Sequence, residues 1–291
     1  MTALRRWVAD PQRPPRILQA VTAAYLLWSL LPVAIAVMFS FNSGRSRTQW
    51  QGFSFRWYWG DPIRSVWHDD TLRTALTHTL VLGVLATAVT VPLGVAFALG
   101  VDRWRGRLPE GANFVMLVSF VIPETLLAVA LLFLVNEVRT PLELGTSAQV
   151  AGLVTFQLSY PVVIVRARLL TIGKQYEQAA IDLGASPMGA VRRVLLPMLM
   201  PAILVSAVLV FADVIDDFVI VRYLSGDASS EPTSVKIYNT ARAAPTPALN
   251  ALATLMLLAA TVAVVIGFVI YRWLSRGEKG SSSIESFAGG L

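Results

Sequence analysis

Cysteine is absent from the 291 residues, which excludes disulfides and thiolate chemistry while leaving the compartment open. Charge is scarce at 14% of residues, against about a quarter in soluble domains. Histidine occurs twice, as His68 and His78; ten residues apart and outside any carboxylate-histidine grouping, the pair gives no expected metal site. No glycine-rich phosphate loop of the form G-x4-G-K-[S/T] is present, so the chain is not expected to hydrolyse ATP itself. Ser, Asp and His lack the strand-turn-helix setting of a nucleophile, and no catalytic residue is expected. There is no internal repeat, low-complexity tract or separate soluble domain, and the apolar runs do not alternate as barrel strands do.

What is present is hydrophobicity, 55% of residues, arranged in runs long enough to cross a membrane as helices, which takes roughly 20 residues each. Six spans are predicted, near Ile17–Phe41, Leu76–Val101, Phe114–Val135, Val150–Leu170, Met198–Val221 and Leu249–Trp273. Closed barrels being excluded, the fold class is an all-α membrane protein. Pro92, Pro123, Pro161 and Pro201 fall inside these runs and should kink or interrupt them. The first run is too long for a cleavable signal and no small-residue cleavage site follows it, so it reads as a retained helix.

With the N-terminus inside, 15 of the 24 Lys and Arg fall on the cytoplasmic side. That orientation makes residues 1–16 a cytoplasmic segment, 17–274 the six-helix transmembrane domain, and 275–291 a disordered cytoplasmic tail. The net charge of +6 follows from basic loops beside anionic lipid and calls for no nucleic-acid partner. The Trp- and Tyr-rich loop after the first span reads as an interfacial aromatic belt.

One polar island interrupts the apolar pattern. Residues 172–197 lie between the fourth and fifth spans and contain "QYEQAAIDLGASPMGAVRRVLLP". Gly184 suits a left-handed cap closing a first short helix. Ser186 suits the N-cap of a second, with Pro187 at its first position, and Pro197 is expected to break that helix before the fifth span. Ala179 and Ala180 leave a face bare of bulk, edged by Glu177, Gln178 and Asp182. Such an elbow is either a solvated connector or a piece that seats in another protein's groove.

Carboxylates inside membrane spans are costly and usually face protein or water. Glu124 lies in the third span; Asp213, Asp216 and Asp217 lie towards the end of the fifth, with Asp213 and Asp217 four apart on one helical face. They are candidates to line the path of a cation, since charge attraction strengthens as the dielectric falls. The opposing reading makes Asp216 and Asp217 loop caps that pair with Arg222, and makes Glu124 a group that satisfies a broken helix or pairs with a partner subunit.

The spacing Gln178-Ala179-Ala180, Gly184, nine residues, then Val194, Leu196 and Pro197 resembles the EAA signature of ABC importer permease subunits. Gln178 stands where that family carries its glutamate, with Glu177 one place earlier. "FSFNS", "GFSFRWY", "VIPET", "VVIVRARL", "DDFVI" and "KIYNTARAAPTPALNALATL" further resemble the second permease of spermidine/putrescine importers, the likeness running from about residue 25 to 274. The resemblance implies a type I, MetI-like permease bundle whose coupling helix rests in a cleft of an ATPase subunit. Glu177, Gln178, Ala179, Ala180, Asp182, Gly184, Ser186 and Pro197 would form that contact. It also implies a second permease, two ATPase subunits that use ATP and Mg, an extracytoplasmic solute-binding protein, and a place in the bacterial inner membrane with both termini cytoplasmic. No cofactor is expected on the chain itself. Polyamine is the implied cargo; related branches carry iron, thiamine or other solutes. A proton-coupled secondary transporter and a non-transporting scaffold are the readings from other classes, and the first usually shows internal repeats that are missing here.

Overall fold

The computed structural model describes residues 16–46, 48–103, 107–138, 141–243 and 246–275. Apart from Arg16 and Ser275, the expected N-terminal segment (1–16) and tail (275–291) lie outside these. Twelve helices follow in chain order: α1 Arg16–Ser40, α2 Asp70–Arg103, α3 Arg107–Val121, α4 Glu124–Glu137, α5 Thr146–Gln157, α6 Ser159–Ile172, α7 Gln175–Asp182, α8 Pro187–Ala190, α9 Leu196–Asp216, α10 Val219–Tyr223, α11 Thr233–Ala243 and α12 Pro247–Ser275. An isolated bridge, Asn42 with Phe53, is the β structure among the described residues.

Among the described residues five stretches are long and apolar enough to cross a membrane: Ile17–Ser40, Asp70–Arg103, Thr146–Ile172, Pro187–Asp216 and Pro247–Trp273. They correspond to five of the six predicted spans. The remaining one, Phe114–Val135, is divided between α3 and α4, because Pro123 lacks an N–H and its ring collides with the preceding turn. Pro92 and Pro201, by contrast, sit inside continuous helices. Pro161 has a smaller effect than Pro123: α5 and α6 meet at Leu158, whose backbone stays right-handed helical.

The described residues divide into two compact units, one up to residue 69 with 241–254, the other 70–240 with residues from 255 onward. In the first, the loop after α1 is a folded module rather than a plain belt. Trp57 is buried and donates its indole N–H to the Asn42 carbonyl at 2.7 Å. The Tyr58 and Ser40 hydroxyls share a hydrogen bond of 2.7 Å. Phe41, Phe53, Phe55 and Trp59 stack nearby, with centroids 5.2–5.4 Å apart for the pairs Phe41–Phe53, Phe41–Phe55 and Phe55–Trp59. Arg56 and Asp61 pair at 2.8 Å beside a shallow cavity of 470 Å³ lined by Ser54, Phe55, Trp59 and Pro62. The Asp61 carboxyl titrates at about 2, because the Arg64 amide and the Arg56 side chain donate to its charged form.

The second unit is a helical bundle built around α2, α6 and α9, whose core includes Leu82, Val95, Leu153, Val165, Leu199 and Val210. Lipid tails are as apolar as leucine, so helices in a membrane associate by close packing rather than by escape from water. Glycines supply that closeness. A Cβ on Gly94 of α2 would sit 2.4 Å from the Pro161 ring of α6, and one on Gly83 would sit 2.7 Å from Ile215 of α9. These approaches hold α6 and α9 closely against α2.

Candidate functional site

Two places in the second unit gather the residues singled out above. The first is the elbow formed by α7, α8 and the turn that follows. α7 closes with paired backbone bonds, Gly184 N–H to the Ile181 carbonyl at 2.8 Å and Ala185 N–H to the Ala180 carbonyl at 3.0 Å. That is the Schellman arrangement, and it needs the left-handed φ of +88° found at Gly184. Ser186 then caps α8, its hydroxyl accepting the Gly189 N–H at 3.1 Å, with Pro187 at the first helical position. These positions fold as the local chemistry predicts.

Pro197 does not behave as predicted. The chain runs helically from Pro187 to Asp216 because a π-helical turn, Val191–Leu195, precedes the proline. In that wider turn the Leu196 N–H reaches back five residues to the Val191 carbonyl, so the backbone has already left the α register in which a proline ring clashes. Pro197 is exposed there as part of a continuous rod joining the elbow to α9.

The other elbow residues separate by orientation. Gln178, Ala179, Asp182, Gly184 and Ser186 are exposed and Ala180 is half-buried. Glu177 is buried and turned inward onto Arg103, the last residue of α2. The outward surface is carried instead by apolar side chains: Leu183 is 90% exposed, with Tyr176, Ile181 and Met188 exposed around it. Arg103 was not legible as part of the elbow, since 74 residues separate it from Glu177.

The second place is built from interrupted helices. The break at Pro123 puts Glu124 in the first turn of α4, where a carboxylate suits the positive end of the helix. α9 ends at Asp216, so Asp217 lies outside the helix with ψ at 134°. The expectation that Asp213 and Asp217 share a helical face is therefore replaced by a different route to the same neighbourhood. Asp217 turns back so that its carboxyl stands within hydrogen-bonding reach of Glu124, with Asp213 near enough to act on it electrostatically.

Asp217 is 9% exposed and also accepts the Val221 N–H at 3.1 Å, capping α10. Its own carbonyl accepts from Ser234 at 2.6 Å. Gln157, at the end of α5, donates its side-chain amide to Asp213. The Tyr160 phenol lies in the field of both Asp213 and Glu124. Asp216 neighbours Asp213, and both are exposed where Asp217 is buried. Arg222 bonds to Asn239 at 3.1 Å, and the loop beyond is capped by Asp227, whose Ser229 and Ser230 donors hold its carboxyl below the usual range. Gln157 and Tyr160 join these acids as neutral side chains, with no charge in the sequence to mark them.

His78 bonds to Gln149 at 2.8 Å and His68 to Ser65 at 2.9 Å. Among the described residues no three His, Cys, Asp or Glu are placed to hold a metal. Carboxyls brought as close as those of Glu124 and Asp217 repel one another unless a cation or a shared proton lies between them.

Comparison with known proteins fits these features. The family described as "binding-protein-dependent transport system inner membrane component" matches residues 90–280. The putrescine transport system permease protein PotI of Escherichia coli strain K12 is 32% identical over 253 residues, 85% of this chain and 87% of that protein. The spermidine/putrescine transport system permease protein PotC of the same strain is 31% identical over 260 residues, 89% of this chain and 95% of that protein. Among solved structures, a chain of a bacterial ABC transporter involved in alginate import aligns with a TM-score of 0.70 at 15% identity, covering 88% of this chain and 95% of that one. A chain of the inward-facing MetNI methionine ABC transporter aligns with a TM-score of 0.57 at 19% identity, covering 69% and 93%. At such identities the structural likeness speaks for the fold alone.

Proposed function

The chain belongs to the binding-protein-dependent transport system inner membrane component family and is a permease subunit of an ABC importer, and on that premise we propose that it forms half of the path by which a polyamine enters the cell. The convergence of Glu124, Asp213 and Asp217 carries this reading. A polyamine is a chain of ammonium groups, and each must exchange water for fixed negative partners on entering a low-dielectric passage. Carboxyls from two interrupted helices supply such partners.

In this proposal the energy comes from outside the chain. A partner ATPase, using ATP and Mg, grips the elbow through Leu183, Tyr176, Ile181 and Met188, with Gln178, Ala179, Ala180 and Asp182 around them. Gly184 and Ser186 fix the angle of the elbow, and Pro197 lies on the rod that carries its movement into α9. Glu177 serves the same coupling from the inside, through Arg103. The chain itself carries no hydrolytic site and no cofactor. It works beside a second permease, two ATPase subunits and an extracytoplasmic binding protein, in the bacterial cytoplasmic membrane with both termini and the elbow on the cytoplasmic side.

Reconstitution of the complete importer in proteoliposomes tests the reading. Uptake of labelled 1,4-diaminobutane should require ATP, the ATPase and the binding protein together. Uptake driven by a proton gradient without ATP, or ATP-driven uptake restricted to another solute class such as ferric or thiamine compounds, would overturn it.

A further inference from the structure

Among the described residues, the acidic region holds a buried polar atom without a hydrogen-bond partner. Gln157 is completely buried, in a segment whose neighbours Val154, Phe156 and Leu158 are apolar. Its Nε2 donates to Asp213, and its Oε1 has no hydrogen-bond partner. The two ends of the amide are not interchangeable here, because only the N–H end can donate to a carboxylate. A buried carbonyl oxygen without a donor carries its full desolvation penalty. The backbone opens at the same residue: Pro161, four places on, has no N–H to return to the Gln157 carbonyl. Thus a full desolvation cost falls on an acceptor beside a cluster of carboxyls, where a donor-bearing cation would relieve it.

Resting on the polyamine-path reading, we propose that Gln157 is a substrate-binding residue: its Oε1 accepts an N–H from the ammonium head of the cargo while its Nε2 holds Asp213 in position. Carboxylates attract either cation by charge and hydrogen-bond only the one that bears hydrogens. The neutral amide oxygen offers no charge to a fully methylated ammonium, so its share of the binding goes to the N–H-bearing head alone and sharpens that preference. A primary ammonium has three N–H donors, enough to serve the facing carboxyls and Gln157 at once; a quaternary one has none and leaves Oε1 as exposed to cost as before.

The test is equilibrium binding to the complete importer in lipid nanodiscs, with radiolabelled 1,4-diaminobutane as probe and its hexamethylated bis-quaternary analogue as competitor. The two carry the same charge over the same carbon chain. Wild type should favour the diamine by about tenfold or more, the equivalent of one good hydrogen bond. Gln157→Met, close in size and without the amide, should shrink that preference, weakening diamine binding severalfold more than that of the analogue, which loses only the positioning of Asp213. Equal affinity for the two cations in wild type, which needs no variant to measure, overturns the inference. So does a Gln157→Met importer that weakens both cations alike, since the residue would then act only through Asp213. Asp217→Asn separates the two readings: weaker binding of both cations leaves the acidic path standing whatever Gln157 does, whereas unchanged binding of both removes the path and the inference with it.

Discussion

Arg103, the last residue of α2, grips Glu177 in the first turn of α7, so the elbow is tied to the bundle by an ion pair whose acidic partner is buried. A carboxylate in that position loses more when its partner is removed than the pair gains when intact. Force on the elbow therefore has a second route into the membrane helices, besides the rod that runs into α9.

Removing the arginine should accordingly disturb coupling. Arg103→Ala leaves Glu177 buried without its partner, at a local cost of about 1–3 kcal/mol. The measurement is solute moved per ATP hydrolysed in proteoliposomes, which should fall severalfold while membrane insertion persists. Exchange of the pair, Arg103→Glu with Glu177→Arg, should recover part of the loss.

Gly184 separates conformation from contact. A Cβ there meets nothing within 4 Å, yet φ is +88°. Gly184→Val should therefore act through the backbone alone, at roughly 1–2 kcal/mol, uncoupling ATP hydrolysis from uptake while the complex still assembles. Gly184→Asn, which visits the left-handed region more readily, should retain most of the uptake. Equal loss in both variants would point to the side chain rather than the backbone angle.

Asp216 and Asp217 should differ despite adjacency, since Asp216 is exposed and Asp217 faces Glu124. Asp217→Asn keeps an oxygen for the Val221 N–H and so spares the cap on α10. It should lower diamine uptake by about tenfold, or about 1.4 kcal/mol, and account for nearly all of the effect of the double Asp216→Asn, Asp217→Asn variant. Asp216→Asn alone should change uptake little.

The aromatic module after α1 has a pH signature. The folded Asp61 carboxyl titrates at about 2, below its ordinary 3.8. A depressed carboxylate gives stability that is fully present above the ordinary value and is lost as pH falls through it towards 2. Tryptophan fluorescence, reporting Trp57, should hold steady from neutral pH to about 4 and change below it. Asp61→Asn should lower module stability at neutral pH and flatten that acid dependence.

Much of the elbow was legible because its chemistry is local. Gly184, Ser186 and Pro187 each act within four residues, so composition alone located both caps. The acids were legible as residues but not as an arrangement. Asp217 joins the cluster by leaving the helix, not by its periodicity, and Glu124 joins it through a break that divides a span otherwise long enough to be continuous. Pro197 misled because a π turn upstream had already reset the backbone register. Glu177 turned inward towards a partner 74 residues away, a distance no local pattern reports. Gln157 was hidden by its neutrality among charged candidates, although an amide four residues before a proline in an apolar run is a signal that could have marked it.

The most direct measurement concerns the outward tip of the elbow. The natural chain has no cysteine, so Leu183→Cys introduces a single thiol at a residue that is 90% exposed. A heterobifunctional reagent that couples this thiol to lysine amines, applied to the assembled importer in inverted membrane vesicles, should join this permease to the ATPase subunit, with a yield that changes between ATP-bound and nucleotide-free states. Labelling of the same thiol in intact cells by a membrane-impermeant reagent, or failure to capture the ATPase in any nucleotide state, would contradict a cytoplasmic coupling elbow.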